Sequence, residues 1–193
     1  MVQSTRSNKI NGQLEEKGNG PQDPRAMKSL VVVFSYHHKN TEKIANVFAN
    51  VLDAQIKTPR QVNPEELREY SLVGFGSGIY SAQNHKSLLD LADRLPHAHG
   101  RKAFIFSTFG APVALYGGER LREFIKNNHA ALREKLQARG YMVIDEFSCA
   151  GLNTNSFLRL FGGLNKGRPD AEDLRHAEEF AHTLKENARE KLE

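Results

Sequence analysis

The stretch Leu30-Val31-Val32-Val33-Phe34-Ser35-Tyr36-His37-His38-Lys39-Asn40-Thr41-Glu42 decides the fold. Five apolar residues in a row, Leu30 to Phe34, mark a strand buried on both faces. A polar turn follows at once. Asn40 or Thr41 can then cap a helix whose apolar Ile44, Val47, Phe48 and Val51 fall on one face. A buried strand that opens into a hydroxyl-bearing turn and enters a helix is suited to holding an anion. The first N–H groups of the helix lack intrahelical partners, and the dipole favours negative charge there. Ser35 and Thr41 add hydroxyls and Lys39 adds a full positive charge, so the natural ligand is a phosphate. The turn carries neither G-x-G-x-x-G nor G-x-x-x-x-G-K-[ST], so it is neither the dinucleotide fingerprint nor a nucleoside-triphosphate loop.

Outward from this turn, apolar runs and helical periodicity alternate. Strands are expected at 29–34, weakly at 54–58, then at 71–76, 102–106 and 141–147. Helices are expected at 41–52, 84–94, 119–139 and 171–188, with a helical turn after Asn63-Pro64-Glu65-Glu66. Such alternation predicts an α/β fold: a doubly wound five-stranded parallel sheet, order 2-1-3-4-5, with helices on both faces. Ligands of such sheets sit at the carboxyl ends of the strands, at the switch point between strands 1 and 3. Two domains of behaviour are expected: a disordered N-terminal tail, 1–27, with almost nothing to bury, and a folded domain over 28–193.

Two further strand ends repeat the chemistry of the first. Strand 3 runs into Gly76-Ser77-Gly78-Ile79-Tyr80, where glycines admit close approach to the backbone and Tyr80 offers an aromatic face. Strand 4 opens into Ser107-Thr108-Phe109-Gly110. Taken together, the three loops and the order of elements over residues 29–188 resemble the flavodoxin-like family of FMN-binding proteins. The family's phosphate loop is Ser/Thr-rich with a Gly before Asn-Thr; here His38 and Lys39 make it a variant. By this resemblance Ser35, His37, His38, Lys39, Asn40 and Thr41 would meet the FMN phosphate. Ser77, Gly78, Ile79 and Tyr80 would meet one side of the ring, and Ser107, Thr108, Phe109 and Gly110 the other. The family often stacks a Trp on the flavin. The chain has none, which leaves Tyr80, Phe109 or Tyr116 for that place. The net charge of +4 also sets it apart from the acidic members of the family.

A segment of about 20 residues, Cys149 to Asp170, separates strand 5 from the last helix, and loops of this length are usually functional. It gathers Phe157, Leu158, Leu160, Phe161 and Leu164 with the cations Arg159, Lys166 and Arg168, and 151–169 hold no Asp or Glu. An apolar cluster rimmed by cations suits a cover over the flavin, a redox partner protein or a small organic acceptor docking at Asn153–Arg168, or peripheral contact with an anionic membrane surface; the alternative is a short amphipathic turn that plugs the sheet end. A related apolar, basic segment ending in Gly-Gly occurs in the quinone-linked protoporphyrinogen dehydrogenases of the same fold.

Other candidates weigh less. His97 and His99 flank Ala98 without a carboxylate or thiol to complete a metal set. Cys149 is the one cysteine, which excludes an internal disulfide, fits a reducing cytoplasm and reads as a small core residue. No Ser-His-Asp or paired-carboxylate set follows from spacing, so no catalytic side chain is assigned. No apolar run approaches a membrane span, and charges of both signs alternate along the helices, which excludes a nucleic-acid surface. A phospho-receiver is excluded as well, because strand 1 ends in Ser-Tyr-His-His-Lys rather than in an acidic cluster. The resemblance therefore implies a cytoplasmic, FMN-binding redox protein acting in electron transfer, or alternatively an FMN-dependent oxidoreductase resembling the protoporphyrinogen dehydrogenases.

Overall fold

A computed structural model describes residues 27–112, 118–155, 158, 160 and 162–189. The expected disordered tail lies outside them, apart from Met27, which rests half-buried against the core. The elements run β1 (Ser29–Phe34), α1 (Asn40–Leu52), β2 (Gln55–Lys57), a 3-10 turn (Pro64–Glu69), β3 (Leu72–Tyr80), β4 (Gln83–Asn84), α2 (Lys86–Ala92), β5 (Lys102–Phe109), α3 (Glu119–Ala138), β6 (Met142–Ala150) and α4 (Ala171–Arg189). The parallel strands lie in the order β2-β1-β3-β5-β6, which is the expected 2-1-3-4-5 winding. One short strand, β4, is additional and folds back antiparallel on the end of β3.

Strand alternation divides the core into two layers. Leu30, Val32, Val73, Phe75, Ala103 and Ile105 face α2, α3 and the 3-10 turn. Val31, Val33, Phe104 and Phe106 face α1 and α4. Phe48 of α1 meets Phe104, Phe106 and Phe147 edge-on, with ring centroids 5.4, 5.0 and 5.6 Å apart. Each such ring, fully buried, stabilises the fold by about 1.5–3 kcal/mol. Cys149 belongs to this second layer. Burial pushes its thiol above its ordinary range, so it is a packing residue.

Three strands run further than their apolar runs suggest. Expected to end at 76, 106 and 147, they continue to Tyr80, Phe109 and Ala150. The register pairs Ser77 with Ser107 and Ser107 with Ser148, so three serines form a row across the sheet. Their hydroxyls are satisfied inside the protein, which is what lets polar residues remain in buried ladders. Ser77 Oγ donates to the Gly78 carbonyl at 2.8 Å and accepts from His85 N–H at 2.9 Å. Ser107 and Ser148 hydroxyls lie 2.8 Å apart.

The start of α1 also differs from expectation. Neither Asn40 nor Thr41 caps the helix. Lys39 stands at the cap position in the left-handed region, φ 53°, with no side-chain cap bond. This is the position at which the flavodoxin-like loop carries glycine, the residue that adopts such a conformation at least cost.

Candidate functional site

The carboxyl ends of β1, β3, β5 and β6 surround a cavity of about 450 Å³. From the first turn, Ser35, His37, His38, Asn40 and Thr41 line it. Gly78, Ile79 and Tyr80 line it from β3, and Thr108, Phe109 and Gly110 from β5. The cavity thus brings together eleven of the fourteen residues expected at the site: Ser35, His37, His38, Asn40, Thr41, Gly78, Ile79, Tyr80, Thr108, Phe109 and Gly110.

Lys39, Ser77 and Ser107 stay outside it. The left-handed turn sends Lys39 into solvent, where its Nζ lies 3.2 Å from Glu42 Oε1 with the side chain 72% exposed. Ser77 and Ser107 are sheet residues rather than loop residues, and their hydroxyls are spent on the partners just described.

The wall is held in place by short polar contacts. Thr41 and Thr108 hydroxyls meet at 2.8 Å, both buried, and tie the first turn to β5. Asn40 Nδ2 donates to the Leu152 carbonyl at 2.9 Å, and Asn153 Nδ2 donates to the Gly110 carbonyl at 3.0 Å. Both contacts need a neighbour without a side chain. A Cβ on Gly151 would lie 2.6 Å from Asn40 Nδ2, and one on Gly110 would lie 2.7 Å from Asn153 Nδ2. His38 Nε2 lies 2.7 Å from Thr154 Oγ1, which draws the β6–α4 segment over the first turn.

Aromatic groups sit on the other side. Tyr80 lies edge-on to His85 at 5.3 Å, and His85 stacks on Phe34 at 3.7 Å. Burial lowers the His85 pKa and raises that of Tyr80, so both rings are favoured neutral. Phe109 packs against Phe124 at 5.0 Å. Tyr116, Phe157, Arg159 and Phe161 lie outside the described residues.

Sequence reasoning missed Tyr36, Ala82 and Ala111 and two larger parts of the wall. Phe124 and Asn128 enter from α3, one helical turn apart. Their i, i+4 spacing was visible, but which face of α3 meets the strand ends is set by the sheet. The second part is Gly151 to Asn155; the sequence placed Asn153 onward in a docking segment, and the amides and hydroxyls of this stretch line the cavity itself.

Among the described residues, those lining the cavity include no Asp, Glu, Lys or Arg. The cavity offers dipoles instead: the free N–H groups at the start of α1, hydroxyls, amides and two histidines. Such a wall carries no carboxylate to repel an anion, and a helix N-terminus to attract one.

No family model matches the chain. The uncharacterized protein MJ0298 of Methanocaldococcus jannaschii is 42% identical over 162 residues, covering 83% of this chain and 100% of that one. The chain belongs to one family with this archaeal protein, and its fold is flavodoxin-like. A flavodoxin from the domain Archaea superposes with a TM-score of 0.61 at 18% identity, over 84% of this chain and 99% of its own. Oxidised flavodoxin 2 from Bacillus cereus gives 0.59 at 20% identity, over 83% and 99%. The flavodoxin, WrbA-like protein from Agrobacterium tumefaciens gives 0.54 at 14% identity, over 84% and 98%. At these identities the structural likeness speaks for the fold. Among the described residues no helix is long and apolar enough to cross a membrane.

Proposed function

We propose that this flavodoxin-like protein binds FMN and acts in electron transfer. The observation that carries this is the convergence of three strand ends and a helix N-terminus on one cavity whose lining, among the described residues, holds no carboxylate. The start of α1 with Ser35 and Thr41 would hold the phosphate, and His37 and His38 stand beside it. Tyr80 and Phe109 would flank the ring, and the backbone at Gly78 and Gly110 would meet its polar edge. Bound flavin supplies the redox chemistry; the chain binds it, orients it and sets the polarity around it. Titrating the purified protein with FMN tests this. Saturable quenching of flavin fluorescence and a rise in melting temperature are expected, because a ligand that binds only the folded state stabilises it. Unchanged fluorescence and melting would overturn the assignment.

A second reading, an FMN-dependent oxidoreductase acting on a small organic acceptor, is favoured by one feature. Phe124 and Asn128 add an apolar and amide-bearing wall beyond the three family loops. Saturable reoxidation of the reduced protein by a quinone would support it; a rate strictly linear in quinone would favour a carrier. The segment Asn153–Arg168 remains our proposed contact for a redox partner, and its Leu160 is 83% exposed.

A further inference from the structure

Neighbouring residues at the end of β5 serve opposite faces of the sheet. Thr108 turns to α1. Ser107 turns to α3, where its Oγ lies 2.8 Å from His129 Nε2. His129 has no exposed surface, and its Nδ1 lies 3.0 Å from Glu146 Oε2. Arg133 grips the same carboxylate, with Nη2 donating to Oε2 at 2.8 Å and Nε donating to Oε1. Burial alone would raise the Glu146 carboxyl; the hydrogen bonds and charges of Arg133 and His129 outweigh it and hold the group at about 2.

A hydroxyl–imidazole–carboxylate chain performs acyl transfer when its hydroxyl faces a substrate. Ser107 is wholly buried and Ser148 lies on it, so nucleophilic attack is set aside. Proton handling is not. With Glu146 ionised, Nδ1 keeps its hydrogen. When Nε2 is bare, Ser107 O–H donates to it and Ser148 O–H donates to Ser107 Oγ. When Nε2 carries a proton, it donates to Ser107 Oγ, Ser107 O–H turns to Ser148 Oγ, and Ser148 O–H turns to the Ser107 carbonyl at 3.3 Å. Both proton states are fully hydrogen-bonded after rotation of two hydroxyls, with no side chain displaced.

This network adjoins the cavity. Asn128, next to His129, lines it, and so does Phe109, two residues beyond Ser107 on the same strand face, roughly 7 Å along. Among the described residues the charged groups facing this network are Glu146 of β6, with its neighbour Asp145, which accepts the Glu146 N–H, and Arg133 of α3; Arg122 and Lys126 of α3 line the same groove as Glu146, and β5 presents the Ser107 hydroxyl.

We propose that His129 is the proton store of the cavity, taking one proton from solvent onto Nε2 when the bound ligand gains negative charge and releasing it when that charge leaves. No other covalent bond changes; the Ser107 and Ser148 hydroxyls rotate to new acceptors. This rests on the flavin reading above, because reduction of the ligand is what delivers the charge.

The test follows the labelled His129 ring by NMR across pH in the FMN-loaded protein, oxidised and dithionite-reduced. A full charge gained in the adjoining cavity should raise the His129 midpoint measurably on reduction. The midpoint potential should fall more steeply with pH between the two His129 midpoints. His129→Asn should lose that steeper limb while still binding FMN, and Glu146→Gln should lower the His129 midpoint in both states. An equal midpoint in oxidised and reduced wild-type protein overturns the proposal, even where His129→Asn fails to fold. Absence of FMN binding overturns the flavin assignment, and the proton store with it.

Discussion

The cavity at the strand ends and the groove between α3 and β6 solve opposite electrostatic problems. Among the described residues the cavity wall contains no fully charged side chain, whereas the groove is lined by Arg122, Lys126, Arg133, Asp145 and Glu146 beside Ile125, Val143 and Ile144. In the groove, Arg133 and Glu146 pair half-buried, and Arg122 and Lys126 stand exposed beside them. In the cavity, ordered dipoles face the place where a ligand's charge would sit, with no like charge to repel it. The difference teaches that this fold keeps full charges at its periphery and addresses the ligand with backbone and hydroxyl dipoles. Dipoles fixed by a folded backbone need no reorganisation when a ligand arrives.

The groove should respond most to substitution. Arg133→Ala leaves the Glu146 carboxylate half-buried with His129 as its remaining partner, and should cost about 3 kcal/mol of stability. Urea unfolding measures this, while FMN affinity should change little. Next comes acid. The folded Glu146 carboxyl is held at about 2, below its ordinary 4.5. Its contribution is therefore complete above pH 4.5 and lost as pH falls towards 2. The loss should be roughly 2 kcal/mol after allowing for the solvent-facing side. Glu146→Gln should flatten that acid limb; an unchanged limb would show that other carboxyls govern it.

The cavity should respond more modestly. Thr41→Val removes the buried hydroxyl pair with Thr108 and one ligand donor, so FMN affinity should fall about five- to tenfold, the scale of one hydrogen bond. The smallest effect belongs to Lys39→Ala. With its ammonium on Glu42 and its side chain in solvent, affinity should stay within about twofold at low salt. A large, salt-dependent loss there would place a full charge at the ligand after all and erase the contrast between the two regions.

Much of this was legible in the residues, for reasons that also mark the limits. Leu30 to Phe34 and the helical spacing of Ile44 and Phe48 are local patterns, and they located β1 and α1. The doubly wound order followed from alternation alone. Ser77 and Ser107 were misplaced into loops because apolar runs end at residues 76 and 106, and a serine's partners across a sheet leave no mark in its own strand. Lys39 was placed on the phosphate by composition; its left-handed φ, which turns it outward, is a property of the turn. His129 and Glu146 lie 17 residues apart on different elements, so no motif joined them with Ser107. Asn153 and Thr154 were credited to a docking loop, whereas Gly110, Gly151 and His38 bring them into the wall.

The central claim is that a dipolar, carboxylate-free cavity holds a phosphate-bearing flavin. Parallel titrations with FMN and riboflavin, at low and at high salt, test it most directly. FMN should bind about tenfold or more tightly than riboflavin, on the scale of charge-assisted hydrogen bonds to the phosphate. That ratio should survive high salt, because the donors are dipoles buried at the start of α1 rather than exposed cations. Equal affinity for the two flavins, or a preference that vanishes with salt, would contradict the account.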